Sequence, residues 1–150
     1  KQYNKIAKNI VKYCNEGKMN TTFDLKEAVK DVASPKYLNK TLSRVFQSIR
    51  MKVNNEIENL NLFLVNSLKH IVKGGRIAII TFHSIEDRIV KNFFKENAIS
   101  CTCPPSFPIC ICNHSPKLKI INKKNINPSK QEIKKNARSR SEKLRIAECL

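Results

Sequence analysis

The chain is short of glycine. Its 150 residues include only Gly17, Gly74 and Gly75. None of them opens a Gly-rich strand-to-helix loop, which excludes a dinucleotide, adenosine or phosphate cradle of the usual type built from these residues. There is no P-loop, no nucleophile elbow and no His-Glu-x-x-His signature. Long apolar runs are missing as well. None approaches the ~18 residues needed to cross a bilayer, so no membrane partner is expected. Acidic residues are scarce, with 12 Asp and Glu against 29 Lys and Arg, for a net charge of +17.

That imbalance points to a polyanionic partner: RNA, DNA or an acidic membrane surface. Lys supplies 22 of the positive charges and Arg only 7. The chain is also crowded with Asn and Ile, and these residue types rise together when coding sequence drifts toward A and T. The arginines, whose forked guanidinium matches phosphate geometry, are therefore the better guide to contacts. The chain does not begin with Met, and Lys1 lies at the edge of a helical pattern. We expect further sequence upstream.

The first half reads as helical. Tyr3, Ile6, Ala7, Ile10, Val11 and Cys14 recur at helical spacing, and Gly17 is a plausible stop. This places Cys14 in a core. Leu25, Ala28, Val29 and Val32 predict a second, shorter helix closed by Ser34-Pro35. A third begins near Thr41, with Leu42, Val45, Phe46, Ile49, Val53, Ile57 and Leu60 inward and Arg44, Gln47, Arg50 and Lys52 outward. A fourth segment, Leu62 to Val72, leads into Gly74-Gly75.

The second half reads as mixed. Ile77 to Ile80 is a continuous apolar run, as in a strand covered on both faces. Ser84, with Glu86 and Asp87 behind it, predicts a helix start, carrying Ile89, Val90, Phe93 and Phe94. A Pro- and Cys-rich loop covers 97–116. Leu118 to Ile121 is a short strand, Ser129-Lys130-Gln131-Glu132 a capping box, and Ser141 to Leu150 contains a strand. Two or three strands leave such a sheet incomplete.

Three constellations stand out. Thr81-Phe82-His83-Ser84 lies at the carboxyl end of the apolar strand, where ligands gather in open α/β sheets. There Phe82 can stack on a base, His83 can bind phosphate or hold a loop, and Asp87 can orient Arg88. The competing reading is that Ser84 caps the helix, His83 bonds to backbone and Asp87–Arg88 is a surface pair. Cys101, Cys103, Cys110 and Cys112 have the spacing to place four thiolates around a structural zinc, with His114 as a substitute ligand and Pro104, Pro105 and Pro108 stiffening the loop. Otherwise they are reduced thiols of a cytoplasmic protein, since so tight a cluster does not suit a disulfide framework. Arg138, Arg140 and Arg145 form the densest arginine group, and Arg44, Gln47 and Arg50 recur at spacings of three along one helix. Both sets suit a nucleic-acid backbone, or are solvated faces and internal ion pairs.

The blocks Arg44 to Ile57, Gly74 to Lys91, Cys101 to Cys112 and Asn136 to Arg145 resemble, in order and at expected spacing, the C-terminal half of the bacterial ribosomal RNA small-subunit methyltransferase H family. The most specific are Phe82-His83-Ser84-x-Glu86-Asp87-Arg88 and Arg138-Ser139-Arg140-Ser141. Ala137 departs from the family's usual Pro. The resemblance implies an α/β fold: the C-terminal part of a class I (Rossmann-like) methyltransferase sheet at 61–150, plus part of an inserted helical RNA-recognition subdomain at 1–60. It implies S-adenosylmethionine-dependent N4-methylation of a cytidine in small-subunit ribosomal RNA. The partners it implies are that RNA or its ribosomal subunit and the N-terminal half of the same protein. The family's main cofactor motifs lie upstream of Lys1, so no cofactor ligand is carried over and the chain alone is expected to be inactive. Phe82, His83 and Ser84 become an active-site rim, and Arg44, Gln47, Arg50, Arg138, Arg140 and Arg145 become RNA contacts. The alternative function is a non-catalytic, zinc-stabilised RNA-binding module. A Gly-rich strand–helix motif in the upstream reading frame separates the two.

Overall fold

The computed structural model describes residues 2–101, 103, 112 and 114–150. The chain divides into two compact units, Lys1–Glu56 and Ile57–Leu150.

In the first unit, α1 (Gln2–Asn15), α2 (Thr22–Lys30) and α3 (Leu38–Val53) follow one another, with a 3-10 turn at Pro35–Tyr37. Helix α1 stops at Gly17, whose φ of 68° suits a residue without Cβ. Helix α2 opens on a capping box: Thr21 accepts from the Asp24 N–H and the Asp24 carboxylate accepts from the Thr21 N–H. The core of this unit gathers Ile6, Leu25, Val29 and Ala33, with Ile10, Leu42 and Val45 against it. Cys14 is exposed, contrary to its expected core position, because α1 turns only its Ile6–Ile10 stripe inward.

The expected third helix divides in two. Helix α3 ends at Val53, and α4 (Glu56–His70) starts three residues later. Between them Asn55 adopts φ 51°, a left-handed conformation that Asn tolerates and that ends a right-handed helix. Phe46, Ile49 and Val53, expected to face inward, are exposed.

In the second unit, α4 leads through Gly74-Gly75 into β1 (Arg76–Thr81). After it come α5 (Ser84–Asn97), β2 (Leu118–Ile120), α6 (Lys130–Lys135), a 3-10 turn (Ala137–Ser141) and β3 (Lys143–Cys149). A Cβ on Gly75 would stand 2.6 Å from the Ile71 side chain, so the turn between helix and strand admits no larger residue. The sheet order is β1-β3-β2, with β3 antiparallel to both neighbours, so that β1 and β2 run parallel to each other. Ile77 lies opposite Ala147 and Thr81 opposite Lys143. Leu64, Ile77, Val90, Phe94, Leu118 and Ala147 form the core beneath α5.

The sheet is small and antiparallel throughout, and it departs from expectation at β1. Ile77, Ile79 and Thr81 face the core, whereas Ala78 and Ile80 face outward and Ile80 is 56 % exposed. Only one face of the apolar strand is covered by described residues, and one edge pairs with no described strand. At the other end of β3 the Asn122 side chain extends the ladder, accepting from Ile146 N at 2.6 Å and donating to Leu144 O at 3.0 Å. No helix among the described residues is long and apolar enough to cross a membrane.

Candidate functional site

The carboxyl end of β1 runs directly into α5, and the join is built from side chains. The cap is His83, one residue earlier than Ser84, which is the first residue of the helix. His83 Nδ1 accepts from Glu86 N at 3.3 Å, and Glu86 Oε2 accepts from Phe82 N at 2.9 Å and His83 N at 3.3 Å. This is a capping box with an imidazole in place of the usual hydroxyl. Because Nδ1 accepts, the proton of the neutral ring sits on Nε2. That nitrogen is buried and makes no hydrogen bond, although Glu86 Oε1 lies 3.1 Å away. Phe82 faces outward, 53 % exposed, beside this cap.

One turn into α5, Asp87 turns back toward the sheet. It does not pair with Arg88, which is exposed. Its partner is Arg145 on β3, with Nε to Oδ1 at 2.7 Å and Nη2 to Oδ2 at 3.3 Å. Lys143 Nζ approaches Oδ2 at 3.4 Å. Asp87 and Arg145 are 9 % and 8 % exposed. Burial pushes the Asp87 carboxyl up, and the hydrogen bonds and charge of Arg145, with Lys143, outweigh it. The net pKa lies below the ordinary carboxylate value. Thr81 completes the join by donating its hydroxyl to Lys143 O at 3.3 Å.

The second arginine group is thereby divided. Arg145 is committed to Asp87, whereas Arg138 and Arg140 are exposed on the 3-10 turn. Between them Ser139 is 1 % exposed. Its hydroxyl donates to Asn136 O at 2.8 Å, while Asn136 Oδ1 accepts from Arg138 N at 3.1 Å. The alternation Arg-Ser-Arg-Ser thus anchors one serine inside and presents two guanidinium groups outside. The sequence singled out the arginines but missed Ser139 and Asn136. An Asn before a run of alternating polar residues was the available signal.

In the first unit Arg44 is exposed, Gln47 half-buried, and Arg50 is engaged by Glu56 through Nε at 2.9 Å and Nη2 at 3.3 Å. Of the cysteines, Cys101, Cys103 and Cys112 bring their sulfurs within 4.8 Å of one another. Cys110 lies outside the described residues.

Chemically, the strand end offers a flat apolar surface, and the nearby turn offers two free-facing forks. Its acids are already satisfied: Glu86 by two backbone N–H groups, Asp87 by Arg145. The join holds and orients, and it presents no carboxylate positioned as a general base.

Residues 1–150 match a protein-family model described as the MraW methylase family. The chain is 45 % identical over 145 residues to ribosomal RNA small subunit methyltransferase H of Caldicellulosiruptor saccharolyticus, covering 96 % of this chain and 47 % of that protein. To the protein of the same name from Clostridium botulinum strain Hall it is 49 % identical over 144 residues, covering 95 % and 47 %. The chain spans about half the length of the curated relatives it matches.

Proposed function

The chain belongs to the MraW methylase family, and from that premise we propose that it is the C-terminal half of an enzyme that methylates the N4 amino group of a cytidine in small-subunit ribosomal RNA. The observation that carries this reading is a match along the whole chain to relatives named as ribosomal RNA methyltransferases, of which it spans 47 %. Its partners in this reading are the small-subunit RNA and the N-terminal half of the same protein, in the cytoplasm. The helical unit Lys1–Glu56 contributes to RNA recognition, with Arg44 and Gln47 on its exposed helix.

The methyl donor in this reading is S-adenosylmethionine. The described residues do not fit it. No Gly-rich loop is present, and three N–H groups at the start of α5, those of Phe82, His83 and Glu86, are already taken by the His83 and Glu86 side chains. In this reading the donor pocket belongs to the N-terminal half of the protein.

What this chain supplies is the RNA side. A cytosine inside a helix hides its amino group, so the base must be unstacked and held. Phe82 offers the exposed ring on which it stacks, and the His83–Glu86 box fixes the backbone beneath that ring. Arg138 and Arg140 fork onto phosphates and set the register of the strand. Arg145 does not touch RNA: it locks α5 to β3 through Asp87.

The test uses the complete protein and small-subunit RNA. Phe82→Ala is expected to lower methylation by roughly fivefold to a hundredfold, the range of one lost base stack. Unchanged methylation removes Phe82 from the site. Failure of the unmodified protein to methylate a cytidine at N4 overturns the reaction itself.

A further inference from the structure

We propose that Cys101, Cys103 and Cys112 hold a structural zinc ion that clips together the two ends of the segment joining α5 to β2. The three sulfurs lie within 4.8 Å of one another. Cys101 Sγ and Cys112 Sγ stand 3.8 Å apart. Tetrahedral zinc with Zn–S bonds of ~2.3 Å sets neighbouring sulfurs about 3.8 Å apart, whereas a disulfide brings them to about 2.05 Å. The spacing is that of ligands to one ion.

The backbone contributes as well. The Cys103 N–H donates to Cys101 Sγ at 3.4 Å. A backbone N–H aimed at a ligand atom is the kind of outer contact that orients metal ligands.

The placement gives the ion a task. Cys101 lies just past α5 and Cys112 shortly before β2, and Lys117 N already donates to Asn97 O at 2.8 Å. The ends of the segment are thus held side by side. A metal clip there removes loop-closure entropy and fixes where β2 enters the sheet. A donor set made of cysteine sulfurs is that of structural zinc sites.

The experiment measures zinc in the untagged chain, purified under reducing conditions without chelator, and then replaces it with cobalt(II). The proposal expects close to one zinc per chain and the intense visible and near-ultraviolet bands of tetrahedral cobalt–thiolate coordination. Cys103→Ser and Cys112→Ser should each weaken metal binding by roughly tenfold or more. Cys14→Ser and Cys149→Ser should leave it unchanged. Absence of zinc with no cobalt–thiolate band in the unmodified chain overturns the proposal. So does a Cys101–Cys112 disulfide found by mass spectrometry under the same conditions, or zinc retained by the Cys103→Ser plus Cys112→Ser double variant.

Discussion

At the scale of single residues, the decisive contact is Asp87 with Arg145. Two groups that are each about nine-tenths buried face one another across α5 and β3. Removing one partner leaves the other charged and unpaired in a poorly solvated place, which is the costly way to break such a pair. Asp87→Asn should therefore destabilise the chain by about 3 kcal/mol, measured by urea unfolding at neutral pH. The acid limb provides the complementary test. The folded pKa of Asp87 is lowered, so its contribution is fully present above the unfolded value of about 3.9 and is lost as pH falls through the lower folded value. The unmodified chain should lose stability over that window, and Asp87→Asn should show a flatter profile there. Parallel acid limbs would mean that the pair contributes nothing in solution. From sequence, Asp87 had two basic neighbours to choose from. Arg88 is adjacent in the chain but points outward, because successive helix residues do not share a face. Arg145 is 58 residues away, and only the pairing of β3 with β1 brings it home.

At the scale of elements, the joins carry the information that periodicity lacks. The α5 start makes this testable. His83 is the cap and Ser84 the first helical residue, so His83→Ala should cost about 1 kcal/mol, the usual worth of a cap, and Ser84→Ala clearly less. Equal losses would return the cap to Ser84. Apolar spacing was enough to find α5, β2 and β3, and the Ser-x-x-Glu pattern was enough to find the Ser129 cap of α6, whose hydroxyl accepts from Glu132 N at 3.1 Å. It did not give the cap of α5, because a hydroxyl beside a histidine wins on propensity while tertiary packing here holds the imidazole over the helix end. Nor did it give the break between α3 and α4. The apolar stripe of Phe46, Ile49, Val53 and Ile57 continues through Asn54-Asn55 as though one helix ran on. The break rests on one backbone conformation, Asn55 at φ 51°. Asn55→Gly should be neutral or slightly stabilising there. Asn55→Val should cost roughly 1–2 kcal/mol, because a β-branched side chain resists the left-handed region. Thermal melts of the two variants that coincide would place the break elsewhere. The strand β1 teaches the same lesson from the other side. Its unbroken apolar run predicted two covered faces, yet only the Ile77–Ile79 face is covered by described residues. The sequence reports what a strand is suited to meet, and the structure reports what this chain brings to meet it.

At the scale of the whole molecule, the question is whether a net charge of +17 is a diffuse field or a site. Both readings predict RNA binding that weakens with salt, since each neutralised phosphate releases counterions. They differ in which charges matter. A diffuse field treats all exposed cations alike. A site depends on where the backbone presents its guanidinium groups, and the turn that carries Arg138 and Arg140 is pinned by the buried Ser139 and by Asn136. Arg138→Ala plus Arg140→Ala should then lower affinity for small-subunit RNA and reduce the slope of log affinity against log salt by about 1.5, the share of two phosphate contacts. The charge-matched comparison is Lys123→Ala plus Lys124→Ala, which removes two exposed cations from the same unit. On the site reading it changes the slope far less, because those flexible ammonium groups have no fixed phosphate to meet. If the lysine pair lowers the slope as much as the arginine pair, the charge acts as a field and the Arg-Ser-Arg-Ser turn loses its assigned role. The buried Arg145 sharpens the contrast. It belongs to the same dense cluster in sequence, yet Arg145→Lys should disturb the fold through Asp87 and leave the salt slope unchanged. A reading of the cluster as one uniform basic patch cannot produce that separation of stability from RNA affinity.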